Sequence, residues 1–169
     1  VTAAFHANGW GEFTGLGLAV RCAVGKSGLV PADKKQEGDG ASPIGTWRMK
    51  RVFFRPDRLE RPETALPTVP LRPQDGWCDA PTDPLYNRPV RLPYPASHEE
   101  LWRDDHIYDV IVELDHNSDP VVPGLGSAVF FHLARPDYSD TQGCIAVAQD
   151  DMLKILAKAE PGTTLTIEP

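Results

Sequence analysis

Long apolar runs are missing from this 169-residue chain. None reaches the roughly 18 residues that a membrane-crossing helix needs, which excludes a helical span. Positive charge is short as well. With 17 Lys and Arg against 24 Asp and Glu, the net charge is −7, a field that attracts neither nucleic acid nor an anionic membrane surface. The excess reads as a solvated acidic surface. There is no H-E-x-x-H and no paired Cys motif, which counts against a zinc hydrolase built on His98, His106, His116 and His132. The glycine-rich run from Gly25 to Gly45 is followed by neither Gly-Lys-Ser/Thr nor a helical pattern, so it is not a phosphate loop. Cysteine is scarce and odd in number: Cys22, Cys78 and Cys144. In an oxidising compartment a Cys22–Cys78 bridge would spare Cys144, but nothing local fixes the distance between the two, and that pairing stays open.

Proline, by contrast, is plentiful: most of the 17 lie between Pro31 and Pro95, which marks extended, turn-rich chain rather than helix. The length fits one domain, 1–169, with a long irregular proline-rich insertion over 55–95. Short alternating or apolar stretches predict strands at Gly17–Val24, Thr46–Phe54, Tyr108–Leu114, Ser127–Leu133, Ile145–Val147 and Thr163–Ile167. Glu99–Arg103 reads as a short helical turn. One convincing helix covers Asp150–Lys158, with acids in its first turn, a lysine near its end, and Pro161-Gly162 to stop it. The fold class is mostly β, with a single clear C-terminal helix.

Chemistry concentrates near the end of the chain. Cys144 sits in Thr141-Gln142-Gly143-Cys144-Ile145, with eleven residues separating it from His132, which ends an apolar strand. A strand, a turn-rich loop and a return bring such a pair face to face. A thiolate attacks carbonyls, and an imidazole is a standard partner for it. Gly143 permits close backbone approach, Thr141 offers a hydroxyl, and the amides around Gly143 and Cys144 are candidate oxyanion donors. His116 and Asn117 end the preceding strand and are candidates for the same cleft. Arg135 and Gln142 on the intervening loop, and Trp77, Tyr86 and Asn87 in the proline-rich stretch, are candidate substrate contacts.

The pattern strand-His, loop, Ser/Thr-x-Gly-Cys-Ile/Val resembles the active-site signature of the YkuD-type L,D-transpeptidases of bacterial cell walls. Upstream, Lys35 to Trp47 (KQEGDGASPIGTW) is similar to that family's Lys…Gly-x-x-Thr/Ser-Pro-x-Gly-x-Phe/Trp segment. The two motifs stand in the family's order, and the resemblance covers about Leu18 to Ile167. Three positions depart from it: Thr141 replaces the usual serine, Gln142 a frequent His or Arg, and Ala146 an arginine two residues after the cysteine. The long stretch over 55–95 looks like a divergent proteobacterial branch.

The resemblance implies a YkuD-like β-sandwich or barrel-like domain that transfers acyl groups between peptidoglycan stem peptides. Cys144 would be the nucleophile and His132 the base, oriented by a backbone carbonyl. The links would be either diaminopimelate to diaminopimelate (3-3) or L-alanine to diaminopimelate (1-3). It further implies no cofactor and no metal, acylation by carbapenem-type inhibitors, a monomer, and a periplasmic location. The chain opens on Val1 without methionine, so export with removal of a leader, or a membrane tether upstream of residue 1, is the matching expectation. The alternatives are a thiol peptidase acting on the same stems, or a wall-binding module in which Cys144 is inert.

Overall fold

The computed structural model describes residues 3–169, so the first two residues of the expected 1–169 domain lie outside the described residues. The chain opens with a meander of β1 (Ala4–Asn8), β2 (Glu12–Gly15) and β3 (Leu18–Arg21). Phe5, Ala7 and Phe13 point inward, the period-two signature of a sheet with one buried face. β1 and β2 lie ahead of the first strand that the sequence predicts, and β3 is shorter than predicted. β4 (Leu29–Pro31) leads into β5 (Ser42–Phe54), which begins at Ser42 rather than Thr46.

The Arg55–Pro95 segment is not structureless. It carries β6 (Thr68–Pro70), β7 (Asp75–Cys78) and β8 (Pro89–Arg91). The predicted helical turn at Glu99–Arg103 is replaced by a strand, β9 (His98–Glu100), because its backbone pairs with β7. That partner is distant in sequence and leaves no local periodicity to read. There follow β10 (Val110–Leu114), β11 (Phe130–Leu133), β12 (Ile145–Val147), α1 (Gln149–Lys158) and β13 (Thr164–Glu168). β11 starts later than Ser127 because Ala128 has φ +51, which interrupts an extended run.

The main sheet runs β12-β11-β10-β5-β13-β1-β2-β3. β5 organises it: Gly45–Arg48 pair with β13, and Met49–Phe54 pair with β10, so one long strand serves both halves. Parallel β4 and β6 add to β5 at its two ends. The open edges nearly close on each other. Just beyond β3, Ala23 N–H donates to Ala146 O at 2.8 Å and Ala146 N–H to Ala23 O at 3.0 Å. The result is a nearly closed, barrel-like sheet filled by Phe5, Phe13, Val112, Phe131, Ile145 and Leu165, with Met152, Ile155 and Leu156 of α1 packed into it. Asp150 and Asp151 in the first turn of α1 and Lys158 in its last match the helix dipole.

A second apolar cluster lies on the outer face of β10 and β11, against the small sheet β8-β7-β9. It contains Phe53, Trp77, Leu101, Tyr108, Phe130 and Cys144. All three cysteines are free, with Cys22 in the barrel core and Cys78 on β7. Among the described residues no helix is long and apolar enough to cross a membrane.

Candidate active site

The placement of Cys144 and His132 follows from strand periodicity. β11 and β12 are parallel, with Phe131 opposite Ile145 and His132 opposite Ala146. Phe131, Leu133, Ile145 and Val147 therefore fill the barrel, while Phe130, His132, Cys144 and Ala146 share the outer face. Both candidate residues line one cleft of about 460 Å³, in the size range of small-molecule sites.

The thiol is buried, with 8% of its residue surface exposed. Phe130 N–H donates to Sγ at 3.3 Å, and the S–H donates to Ala128 O at 3.2 Å. Burial, with the Glu99 charge, pushes its pKa up to about 12, against the opposing pull of the Phe130 N–H and the Lys35 charge. His132 is buried too. Its Nδ1–H donates to Leu133 O at 2.9 Å, so Nε2 carries the free lone pair. Burial pulls the imidazole down to about 4; the Leu133 carbonyl opposes this, and the Arg103 and Arg135 charges add to it. Burial thus favours a neutral thiol and a neutral imidazole over a thiolate–imidazolium pair.

The loop carrying the cysteine is braced on both sides. Thr141 N–H donates to Val24 O at 3.0 Å, and Lys26 N–H to Thr141 O at 2.8 Å. The Thr141 hydroxyl donates to Cys144 O at 2.7 Å and accepts from Gly143 N–H at 3.1 Å. Of the amides considered as oxyanion donors, that of Gly143 is thus already engaged. Gly143 has φ +134, and a Cβ there would lie 2.8 Å from Ala41 O, so only glycine fits without strain. Ala41 belongs to the Lys35–Trp47 motif, which therefore forms the floor under the cysteine loop. Lys35, itself buried, lines the cleft and is ion-paired to Asp39.

The predicted substrate contacts separate into two groups. Arg135 and Gln142 line the cleft. Arg135 is half-exposed and makes only a 3.5 Å contact to Asp105. Trp77, Tyr86, Asn87 and His116 are buried behind the cleft wall and do not line it. Apolar surroundings and saturated hydrogen bonding account for this. Asn87 Oδ1 accepts from Trp77 Nε1 at 2.9 Å and from Ala128 N–H at 3.0 Å, while Nδ2 donates to His116 O and Asn117 O. Tyr86 O–H donates to Glu37 at 2.7 Å and accepts from Gly126 N–H. Asn117 is turned into its own loop, bonded to Val122 and Gly126. His116 packs edge-on against Trp47 at 4.9 Å, and its Nδ1 is buried without a partner. These residues hold the 116–128 loop, and through Ala128 they hold the thiol.

Sequence reasoning missed the opposite wall: Asp79, Glu99, Arg103 and Tyr108. Tyr108 packs edge-on to His132 at 5.2 Å and donates to Glu99 Oε1 at 2.8 Å. Burial, together with the neighbouring Asp79 and Glu37 charges, raises the Glu99 pKa, with the Tyr108 bond and the Arg103 charge opposing. Only the clustering of charges at Glu99–Arg103 signalled anything, and a solvated helical turn explains such a cluster equally well. The histidines weighed as zinc ligands stand on separate elements, and among the described residues no group of three or more His, Cys, Asp or Glu side chains is placed to hold a metal ion.

Comparison with known proteins gives a family match over nearly the whole chain. The model for the YkuD L,D-transpeptidase catalytic domain matches residues 6–167. No curated protein matches the sequence. Among solved structures, Mycobacterium tuberculosis L,D-transpeptidase 1 is 11% identical, with a TM-score of 0.47 over 99% of this chain and 62% of its own. An L,D-transpeptidase from Mycobacterium smegmatis is 12% identical, with a TM-score of 0.44 over 99% of this chain and 58% of its own. This chain thus spans less than two thirds of the length of either structure.

Proposed function

Since the chain belongs to the YkuD family of L,D-transpeptidase catalytic domains, we propose that it crosslinks peptidoglycan by acyl transfer through a thioester on Cys144. One observation supports this most: Cys144 and His132 share one face of a parallel strand pair and one cleft, with the imidazole lone pair at Nε2 left open by the Leu133 bond. His132 takes the thiol proton as Sγ attacks a stem-peptide carbonyl, then returns it to the departing amine. Thiolate and imidazolium exist only during the attack, because burial disfavours both charges at rest. Thr141 and Gly143 fix the cysteine loop, and with the Gly143 amide engaged by Thr141 the Cys144 amide is the remaining candidate for the developing oxyanion.

Arg135 binds a carboxylate of the donor stem, with Gln142 beside it on the rim. The donor carbonyl belongs to diaminopimelate in a 3-3 link or to L-alanine in a 1-3 link, and the acceptor is the side-chain amine of diaminopimelate in both. Water in place of the amine would make the same site a thiol peptidase. The reaction needs no cofactor, takes place in the periplasm, and is blocked by carbapenem-type acylation of Cys144.

The test is incubation with purified disaccharide-peptides, with product masses and connectivity read by tandem mass spectrometry. Cys144→Ala should abolish every product while circular dichroism and melting stay native. Crosslinking or cleavage that persists in that variant refutes the thioester. The fragment masses distinguish 3-3 from 1-3 links.

A further inference from the structure

Glu99 is a cleft carboxylate with no cation of its own. Its one side-chain hydrogen bond is the one from Tyr108 O–H at 2.8 Å. The cations that share the cleft make their hydrogen bonds elsewhere: Arg103 holds Asp105 through two bonds of 2.8 and 2.7 Å and acts on Glu99 only through space, and Lys35 holds Asp39. The neighbouring charges deepen the imbalance. Asp79 and Glu37 both line the cleft and both act on Glu99; one oxygen of Asp79, Oδ1, is buried without any hydrogen-bond partner. Glu37 receives only neutral hydroxyls, from Tyr86 and Ser127. A desolvated carboxylate among like charges is relieved by an incoming cation.

The second half of the transfer brings such a cation. The acceptor is a primary amine, which at neutral pH is an ammonium with no lone pair for attack. Resting on the reading of Cys144 as acyl carrier, we propose that Glu99 receives the acceptor's ammonium in the cleft and takes its first proton. The ammonium and the Glu99 carboxylate become a neutral amine and a carboxylic acid. The amine nitrogen then attacks the thioester carbonyl, the new C–N bond forms, and the C–S bond breaks. The second nitrogen proton passes to His132 and on to Sγ, which leaves as a thiol. Glu99 afterwards releases its proton to water. His132 thus serves the sulfur, and Glu99 serves the incoming nitrogen.

The experiment separates the half-reactions. Disaccharide-tetrapeptide is the donor, and acyl-enzyme is followed by intact mass. The acceptors are diaminopimelate, which is protonated at neutral pH, and hydroxylamine, which is not. Glu99→Gln keeps the acceptor for the Tyr108 bond but loses the charge. It should form acyl-enzyme and react with hydroxylamine within a few-fold of wild type. Its KM for diaminopimelate should rise roughly 10- to 100-fold, the range for losing a charge-assisted hydrogen bond. Glu99→Asp should recover part of that loss. An unchanged KM, or equal slowing of both acceptors and of acylation, overturns the proposal. If Glu99→Gln does not fold, Asp79→Asn should raise the diaminopimelate KM alone, and an unmoved KM there overturns it equally. No acyl-enzyme on the wild-type protein sinks the thioester reading and this proposal with it. Normal acyl-enzyme with an acceptor KM indifferent to residue 99 sinks this proposal alone.

Discussion

Alkylation of Cys144 tests the neutral resting pair directly. The perturbation is pH, and the reagent is iodoacetamide, which reads thiolate without needing a substrate carbonyl. At pH 7 a free cysteine with a pKa of about 8.5 is roughly 3% thiolate. A thiol pushed up to about 12 is about one part in 100,000 thiolate, some 3,000-fold less. Higher basicity makes each thiolate more reactive by about 40-fold over that span, so the net expectation is roughly 100-fold slower than a free thiol. Burial at the cleft floor slows the rate further, which makes the slope the decisive quantity rather than the absolute rate. Peptide mass spectrometry resolves Cys144 from Cys22 and Cys78, and its rate should rise about tenfold per pH unit from 6 to 9.5 without a plateau. His132→Ala should change that rate little, although the same variant should lose carbapenem acylation, where proton transfer accompanies attack. A plateau with an inflection between pH 5 and 7, abolished by His132→Ala, refutes the neutral pair and restores a preformed thiolate–imidazolium.

Three further outcomes follow from particular contacts. His116 and His132 are both held down to about 4 by burial, so the unfolded chain binds their protons from pH 6.5 downward while the folded chain does not. Their contribution is complete above pH 6.5 and is lost as pH falls toward 4, about 3 kcal/mol each; urea melts at pH 7 and 4.5 should show the loss, and His116→Phe should remove about half of it. Gly143→Ala places a Cβ against Ala41 O in a left-handed backbone; about 1–3 kcal/mol of strain should lower the melting temperature and displace the loop enough to stop Cys144 acylation by a carbapenem. Asn87→Ala strands four hydrogen-bond partners, three of them buried; a loss on the order of 4 kcal/mol, about 10 °C in Tm, should appear in calorimetry, with faster Cys144 alkylation as Ala128 loosens.

The sequence was most legible where structure is local. The helix at Gln149–Lys158 announces itself by charge placement and apolar spacing, and β10, β11 and β12 by runs too apolar for an exposed surface. That His132 and Cys144 would line one cleft was readable because one loop joins their strands. What escaped depends on partners far away in the chain. β9 exists because β7 offers it hydrogen bonds, and the small sheet turns a proline-rich stretch into a wall. Trp77, Tyr86 and Asn87 carry the chemistry of a binding surface, yet their burial and saturated bonding make them supports. Glu99 and Tyr108 meet over nine residues of sequence and one bend that no periodicity marks.

The missing arginine at 146 illustrates how the site compensates in space rather than in sequence. Ala146 lies opposite His132 on the cleft face, and its backbone is committed to Ala23 by two hydrogen bonds. A long cation at that position would project beside an imidazole already held down by burial and, to a lesser extent, by the Arg103 and Arg135 charges. Those two guanidiniums come from the wall that also carries Glu99 and from the loop before Cys144, so positive charge reaches the cleft by another route. Arg103 is fixed by Asp105, whereas Arg135 touches the same carboxylate only at 3.5 Å. Of the two, Arg135 is the less constrained, while Arg103 keeps its place against Tyr108. The cleft thus carries a loosely held cation at Arg135 and, at Glu99, a carboxylate without an ion-pair partner. That polarity suits a reaction whose donor arrives as an anion and whose acceptor arrives as an ammonium.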